Sequence, residues 1–262
     1  MAADDGLTAS GGPATREWDA ASYDRVSDPQ VRWAGPVLDR LRPDGVDVVL
    51  DAGCGTGRVT ESLLGRLPSA HVVAVDGSRH MLDEAACRLA PALRAGRVTL
   101  VHADLGRPLP VERPVDAVVS TATLHWVADH DALFANLAAV LRPGGQLVAR
   151  CGGAGNIASV LGVLAALGET WAPWHFATPE DAGARLERSG FTDVATWATD
   201  EPTEFATTSE LEEFLATVVL GAHLDRRPPS ERERFVGAVA QRLPERLVDY
   251  VRLNIIATRA PG

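Results

Sequence analysis

Between Val46 and Arg150 short apolar runs alternate with stretches of helical periodicity. VDVVLDAG, HVVAVD, RVTLVHAD, PVDAVVSTAT and GQLVARCG read as strands. Between them, GRVTESLLGRL sets Val59, Leu63, Leu64 and Leu67 on one helical face. SRHMLDEAACRLA predicts a helix with Ser78 as N-cap, because a serine hydroxyl can accept an orphan N–H of the first turn. DHDALFANLAAVL predicts another, starting near Asp129 and stopping at the turn signal Arg142-Pro143-Gly144-Gly145. Strands alternating with helices of this length imply a parallel sheet covered on both faces. The near-continuous Val/Leu/Ala runs fit strands buried on both sides. Ligands of such sheets bind beyond the carboxyl ends of the strands, at the topological switch point, which places the site near Gly53.

The flanks follow other patterns. Residues 1–15, acidic and rich in Gly and Ala, read as a disordered tail, with no apolar core for a signal peptide. Residues 16–262 read as one domain whose cofactor half is 46–151. Arg16 to Leu41 predicts two short helices broken near Asp28-Pro29, with Trp18, Tyr23, Trp33 and Leu38 packing on the sheet edge. Beyond Gly155 the chain predicts a helix over 156–174 carrying Trp171 and Trp174. A capped helix follows from Thr178 or Pro179 to Gly190. TDVATWATD reads as a strand, SELEEFLATVVLGAHL and SERERFVGAVAQRL as helices, and YVRLNIIATRA as a terminal strand. Helices over about 156–175 and 208–243 are expected to cap a substrate pocket.

Composition narrows the chemistry. The formal net charge is −10 with no basic block. Nucleic-acid and anionic-membrane binding need clustered cations and are not expected. Every basic side chain other than histidine is arginine. Lysine Schiff-base, P-loop and lysine-base chemistry are therefore excluded. Cys54, Cys87 and Cys151 lie far apart without a C-x-x-C pair, so neither a zinc site nor a disulfide framework is expected. A reducing cytoplasm suits them, and no apolar run is long enough to span a bilayer.

The strongest local feature is VVLDAGCGTGRV. A strand ends near Asp51, glycines fall at Gly53, Gly55 and Gly57, and a helix begins. Glycines permit a tight turn and close backbone approach, and a helix N-terminus favours an anion. The spacing is G-x-G-x-G, not the dinucleotide G-x-G-x-x-G. Asp76 ends the next strand, 25 residues beyond Asp51, where an acid can accept both ribose hydroxyls. Asp104, in HADL, follows the third strand. Any one acid could be a helix cap. Three in succession beside a glycine loop form a constellation.

LDAGCGTG, VVAVDGS, HADL, STATLHWV and LRPGGQLV together resemble the ordered motifs of class I S-adenosylmethionine-dependent methyltransferases, over residues 46 to 151. WDAASYDRVSDPQVRW and His125-Trp126 further resemble trans-aconitate methyltransferases and the carrier-protein malonyl methyltransferases of biotin synthesis. The resemblance implies a Rossmann-like, doubly wound α/β fold of seven strands, the last antiparallel, with a helical cap. It implies S-adenosylmethionine as cofactor and S-adenosylhomocysteine as product. By the same resemblance Asp51, Gly53, Cys54 and Gly55 would place the methionine moiety. Asp76, Gly77 and Ser78 would hold the ribose, Met81 would lie under the adenine, and Asp104 and Leu105 would face its edge. Thr121 and Ala122 would line the methionine end, with Trp126 and Tyr23 closing over the cofactor or packing nearby.

His125 sits just after the fourth strand, where the transferred methyl should point. It reads equally as a substrate ligand or base and as a lid residue satisfied by the backbone. No metal-ligand spacing and no acid–base signature occurs in the second half. O-methylation of a small carboxylic acid fits this, since a carboxylate with a reference pKa of ~4 needs no base. An arginine clamp is then expected, with Arg25, Arg32 and Arg252 as candidates. N-, C- or phenol O-methylation, a non-catalytic cofactor-binding regulator and a nicotinamide enzyme are the alternatives. The last is disfavoured by the glycine spacing. The expected partner is a small molecule, and the expected state a monomer or weak homodimer.

Overall fold

The computed structural model describes residues 28–42 and 44–261. In chain order its elements are α1 (Asp28–Asp39), β1 (Val48–Ala52), α2 (Arg58–Arg66), β2 (His71–Asp76), α3 (Arg79–Arg88), α4 (Ala90–Arg94), β3 (Val98–His102) and β4 (Val115–Thr121). A 3₁₀ turn, Leu124–Trp126, leads to α5 (His130–Val140), β5 (Leu141–Gly152), α6 (Ala158–Ala166), α7 (Pro179–Arg188) and β6 (Phe191–Asp200). Then come β7 (Thr203–Glu204), α8 (Thr208–Phe214), α9 (Gly221–Asp225), α10 (Pro229–Ala240), β8 (Leu247–Val248) and β9 (Val251–Arg259).

Seven strands form one sheet in the order β3-β2-β1-β4-β5-β9-β6. β1 to β5 are mutually parallel, and β9 runs antiparallel to both its neighbours. The antiparallel last strand is thus inserted between β5 and β6 rather than added at the edge. The order reverses between β1 and β4, where the first strand's glycine loop emerges, as expected for a doubly wound sheet.

Both faces are covered. Leu63 and Leu67 of the α2 segment and Leu82, Ala85 and Leu89 of the α3 segment pack with Val49, Val72, Val119 and Val148 on one face. Val37 and Leu38 of α1 join that layer. Leu133, Phe134 and Leu137 of α5, with Ala182 and Leu186 of α7, pack against Leu50, Val118, Leu147 and Leu253 on the other. This double coverage is why the strands carry apolar residues on both sides instead of alternating. A separate apolar cluster joins Val160 and Leu164 of α6 to Leu211 and Phe214 of α8 and Val236 and Val239 of α10.

The caps are where the side chains predict them. Ser78, Asp129 and Thr178 accept from the backbone N–H of Met81, Ala132 and Asp181 respectively. The chain departs from the pattern in three places. The helix expected over 156–174 stops at Ala166, because Gly168 turns left-handed at φ 85° and the Glu169 N–H returns to the Leu164 carbonyl. This wrapped-back ending satisfies the last carbonyls, and the chain runs on irregularly to α7. SELEEFLATVVLGAHL is not one α-helix. Residues Leu215–Val219 widen into a π-turn, closed by the Leu220 N–H donating to Leu215 at 2.7 Å. Arg142–Gly145 is a bulge at the start of β5, between the pairs Val115↔Leu141 and Ala117↔Gln146. Tyr23 and Arg25 lie outside the described residues. So does the side chain of Arg32, which falls on α1.

Candidate active site

The glycine loop after β1 is tied to β2. The N–H groups of Gly53 and Cys54 both donate to the Val75 carbonyl, at 2.8 and 2.9 Å. A Cβ on Gly53 would stand 2.2 Å from the Thr123 side chain at φ 82°. This glycine lets the loop after β4 lie directly on the loop after β1, where the Thr123 hydroxyl donates to the Gly53 carbonyl at 3.2 Å. Gly55 is different: it is left-handed at φ 54°, and a Cβ there would meet nothing within 4 Å. The backbone is bare on its open side, which is what close approach of a ligand requires.

Three acids surround this loop in different states. Asp51 is fully buried, with one oxygen accepting the Thr60 hydroxyl at 2.6 Å and the other without a hydrogen-bond partner among the described residues. Loss of water pushes its carboxyl up to about 7, outweighing the Thr60 bond that favours ionisation. Asp76 accepts from the Gly55 N–H at 2.8 Å and the Ser78 N–H at 2.9 Å, so it braces the glycine loop against the start of α3. Asp104 stands two residues past β3 and accepts from the Gly106 N–H at 2.8 Å. Met81 and Leu105 are buried beside these strand ends, and the Gly77 carbonyl accepts from the His102 ring at 2.9 Å.

These residues fit a bound S-adenosylmethionine. A bare Gly55 backbone, an unpartnered buried carboxylate oxygen on Asp51 beneath the loop, and acids after β2 and β3 supply the shape and the acceptors that a methionine ammonium, a ribose and an adenine amino group need. The Cys54 thiol is buried and pushed well above its ordinary value by desolvation, which leaves it an inert spacer.

The next strand over, β4, ends in the loop that leads to His125. Thr121 pairs with Arg150 in the ladder, and Ala122 takes an unusual φ of 55° while its N–H donates to the Arg150 carbonyl at 2.7 Å. The turn that follows buries His125. Its Nδ1 accepts the Gly152 N–H at 3.2 Å, and its carbonyl accepts the His175 N–H at 2.8 Å. Its ring stacks on Phe176 at 5.7 Å and tilts against Trp126 at 5.4 Å. Trp126 in turn meets Trp174 at 5.8 Å, and Trp174 stacks on Phe176 at 5.8 Å. Desolvation first, then the Arg252 charge, hold His125 down at about 3, so the ring is neutral at physiological pH.

Arg252, on β9, is opposite Gly152 in the ladder and only 3% exposed. Its guanidinium lies 4.0 Å from the Tyr250 ring centroid. Burial lowers its pKa to about 10, which still leaves it charged. Behind it, Arg150 forms an ion pair with Glu201. The fold therefore brings together His125 and Arg252, which lie 127 residues apart in the chain. Sequence reasoning missed Gly152, Phe176 and Thr123. The Gly152-Gly153 pair at a strand end is a signal of close backbone approach. Nothing local marks Phe176, whose place depends on where the irregular segment after α6 runs.

Among the described residues, no group of three or more His, Cys, Asp or Glu is placed to hold a metal ion. No helix among them is long and apolar enough to cross a membrane.

Comparison with known proteins gives the family. The family described as "Methyltransferase domain" matches residues 49–145. The trans-aconitate 2-methyltransferase of Acidovorax sp. (strain JS42) is 30% identical over 264 residues, covering 94% of this chain and 99% of its own. That of Paracidovorax citrulli is 29% identical over 93% of this chain and 99% of its own. Among solved structures, Haemonchus contortus phosphoethanolamine N-methyltransferase 2 with S-adenosyl-L-methionine superposes with TM-score 0.63 at 18% identity, covering 92% of this chain and 57% of that one. The [4+2]-cyclase SpnF superposes with TM-score 0.59 at 22% identity, over 88% and 82%. At these identities the structural likeness speaks for the fold alone, and the two chemistries show why fold does not name the reaction. The sequence relatives, matched over nearly the whole chain, speak for the family: this chain is a member of the class I S-adenosylmethionine-dependent methyltransferases, in the group that contains the trans-aconitate 2-methyltransferases.

Proposed function

We propose that the enzyme transfers a methyl group to a carboxylate oxygen of a small organic acid, giving a methyl ester. The observation that carries this reading is Arg252, a buried yet charged guanidinium at the carboxyl end of the sheet beside His125. A planar guanidinium fork matches the two oxygens of a carboxylate in particular. The names of the sequence relatives support the same class of acceptor.

When bound, S-adenosylmethionine supplies an electrophilic methyl carbon on a sulfonium whose sulfur leaves with the bonding pair. The chain's own residues then have three tasks. Gly53, Gly55, Asp51, Asp76, Ser78, Met81, Asp104 and Leu105 hold and orient the cofactor, with Thr121 and Ala122 at its methionine end. Arg252 holds the acceptor, and Arg25 and Arg32 are further candidates for an acid with more than one carboxylate. Trp126, Trp174 and Phe176 exclude water around His125. No residue need remove a proton, because a carboxylate arrives ionised. A His125 held neutral down to about 3 suits that economy poorly as a base and well as a fixed dipole. Holding the oxygen and methyl carbon at near-attack distance supplies the barrier reduction. The cluster of α6, α8, α9 and α10 is read as the cap that selects among acids. The net charge of −10 without a basic block supports a small acceptor over a nucleic acid.

The test is transfer from methyl-labelled S-adenosylmethionine to a panel of small acids, phenols and amines. A product formed with acids and hydrolysed in mild base is expected. A base-stable product from phenols or amines, with acids inert, refutes the reading.

A further inference from the structure

His125 is held in a way that fixes its tautomer. The Gly152 backbone N–H can only donate, and at 3.2 Å it donates to Nδ1. Nδ1 must therefore present its lone pair, and the proton of the neutral ring resides on Nε2. Two other buried histidines carry the proton on the same nitrogen but use it differently. His130 donates from Nε2 to the Leu124 carbonyl at 3.1 Å, and His223 from Nε2 to the Trp171 carbonyl at 3.1 Å. Both spend the donor inside the protein and leave Nδ1 without a partner among the described residues. His125 spends its acceptor and keeps its donor, for which no described residue provides a partner. Its ring is clamped between Phe176 and Trp126, so the N–H cannot swing to find one. The charge that acts most strongly on the ring is Arg252, also a donor.

We infer that His125 is a tautomer-locked hydrogen-bond donor whose Nε2–H grips the acceptor's carboxylate together with Arg252, fixing which oxygen faces the methyl group. This rests on the carboxylic-acid reading above and assigns His125 the role of a substrate-orienting donor rather than a base. Two donors of different shape, one charged and forked and one neutral and single, hold a carboxylate at a defined rotation. One guanidinium alone leaves either oxygen free to react.

The experiment compares H125A and H125Q on the acid that the wild type esterifies fastest. Glutamine can accept the Gly152 N–H with its oxygen and donate with its amide, and it does not titrate. H125A is expected to lose roughly 10–100-fold in kcat/KM, the value of a hydrogen bond to a charged group. H125Q should recover to within about tenfold of wild type, and the wild-type kcat/KM should show no histidine limb between pH 6 and 8. Cofactor affinity and thermal unfolding, measured on both variants, report folding. A nitrogen-15 spectrum of the labelled wild type, its His125 signal assigned by loss in H125Q, should show the proton on Nε2. The inference is overturned by a folded, cofactor-binding H125Q no better than H125A, by an acid-side limb in wild-type kcat/KM that H125Q abolishes, or by a proton on Nδ1. Failure of the carboxylic-acid reading looks different: the wild type itself then yields no base-labile product.

Discussion

Asp51 makes the pH dependence of folding a direct readout of the glycine loop after β1. Its carboxyl is raised from 3.8 to about 7 because burial removes water from the charged form, with repulsion from Asp76 adding to this. In the unfolded chain it titrates near its ordinary value. Between about pH 4 and pH 7 the folded protein keeps a proton that the unfolded chain has released. Stability contributed by this group is therefore complete below about pH 4 and is lost as pH rises through about 7. Each pH unit across that window is worth about 1.4 kcal/mol, so the total loss comes to about 4 kcal/mol. His125 and His130 act in the opposite sense. Both are held low, at about 3 and about 4, and cost stability as pH falls below the ordinary histidine value of 6.5. The raw stability curve thus mixes both signs, and the difference between wild type and D51N isolates Asp51. Asparagine can still accept the Thr60 hydroxyl but cannot ionise. Urea unfolding of the cofactor-free proteins from pH 4.5 to 8.5 should show D51N gaining on wild type steadily up to about pH 7 and holding level above it. A difference that stays flat across the range refutes the reasoning, since Asp51 would then be ionised throughout in the folded state.

Three further outcomes follow from the same site. D76A removes the acceptor that braces the Gly55 and Ser78 N–H groups, and calorimetry should show S-adenosylmethionine binding weakened about 100-fold, or about 2.7 kcal/mol. G53A drives a Cβ to 2.2 Å from Thr123; thermal unfolding should show a loss of about 1–3 kcal/mol or more, and near-wild-type stability would mean the two loops do not touch. R252M keeps the bulk and deletes the charge, so kcat/KM for the acid should fall about 100-fold while cofactor affinity changes less than about threefold. A parallel loss of cofactor affinity would place Arg252 in the cofactor site instead.

Much of this was legible before any coordinates. Apolar strand runs alternating with helical periodicity specify a doubly covered sheet, because a residue buried on either face must be apolar. Ser78, Asp129 and Thr178 could be assigned as caps since capping depends on a few neighbouring residues. The glycine loop and the acids Asp76 and Asp104 were readable because each strand end delivers its next residues to one edge of the sheet. The ends of these local signals are also where reading failed. The helix expected through Trp174 stops at Ala166, where one left-handed glycine outweighs a run of good helix formers. The π-turn at Leu215–Val219 leaves no mark in the pattern, because a wider turn needs tertiary packing to hold it.

The chemistry divides along the same line. Sequence determined the α/β class and the strand ends that carry the glycine loop and the acids, because those depend on spacing within single βα units, and the family resemblance of those motifs named the cofactor. It left His125 open between base, ligand and lid, and Arg252 as one arginine among many. Only the tertiary structure sets β9 against β5, so that Gly152 fixes the proton of His125 and Arg252 lies buried opposite Gly152. Cross-strand register between segments a hundred residues apart is decided by packing of the whole sheet, and no local pattern encodes it.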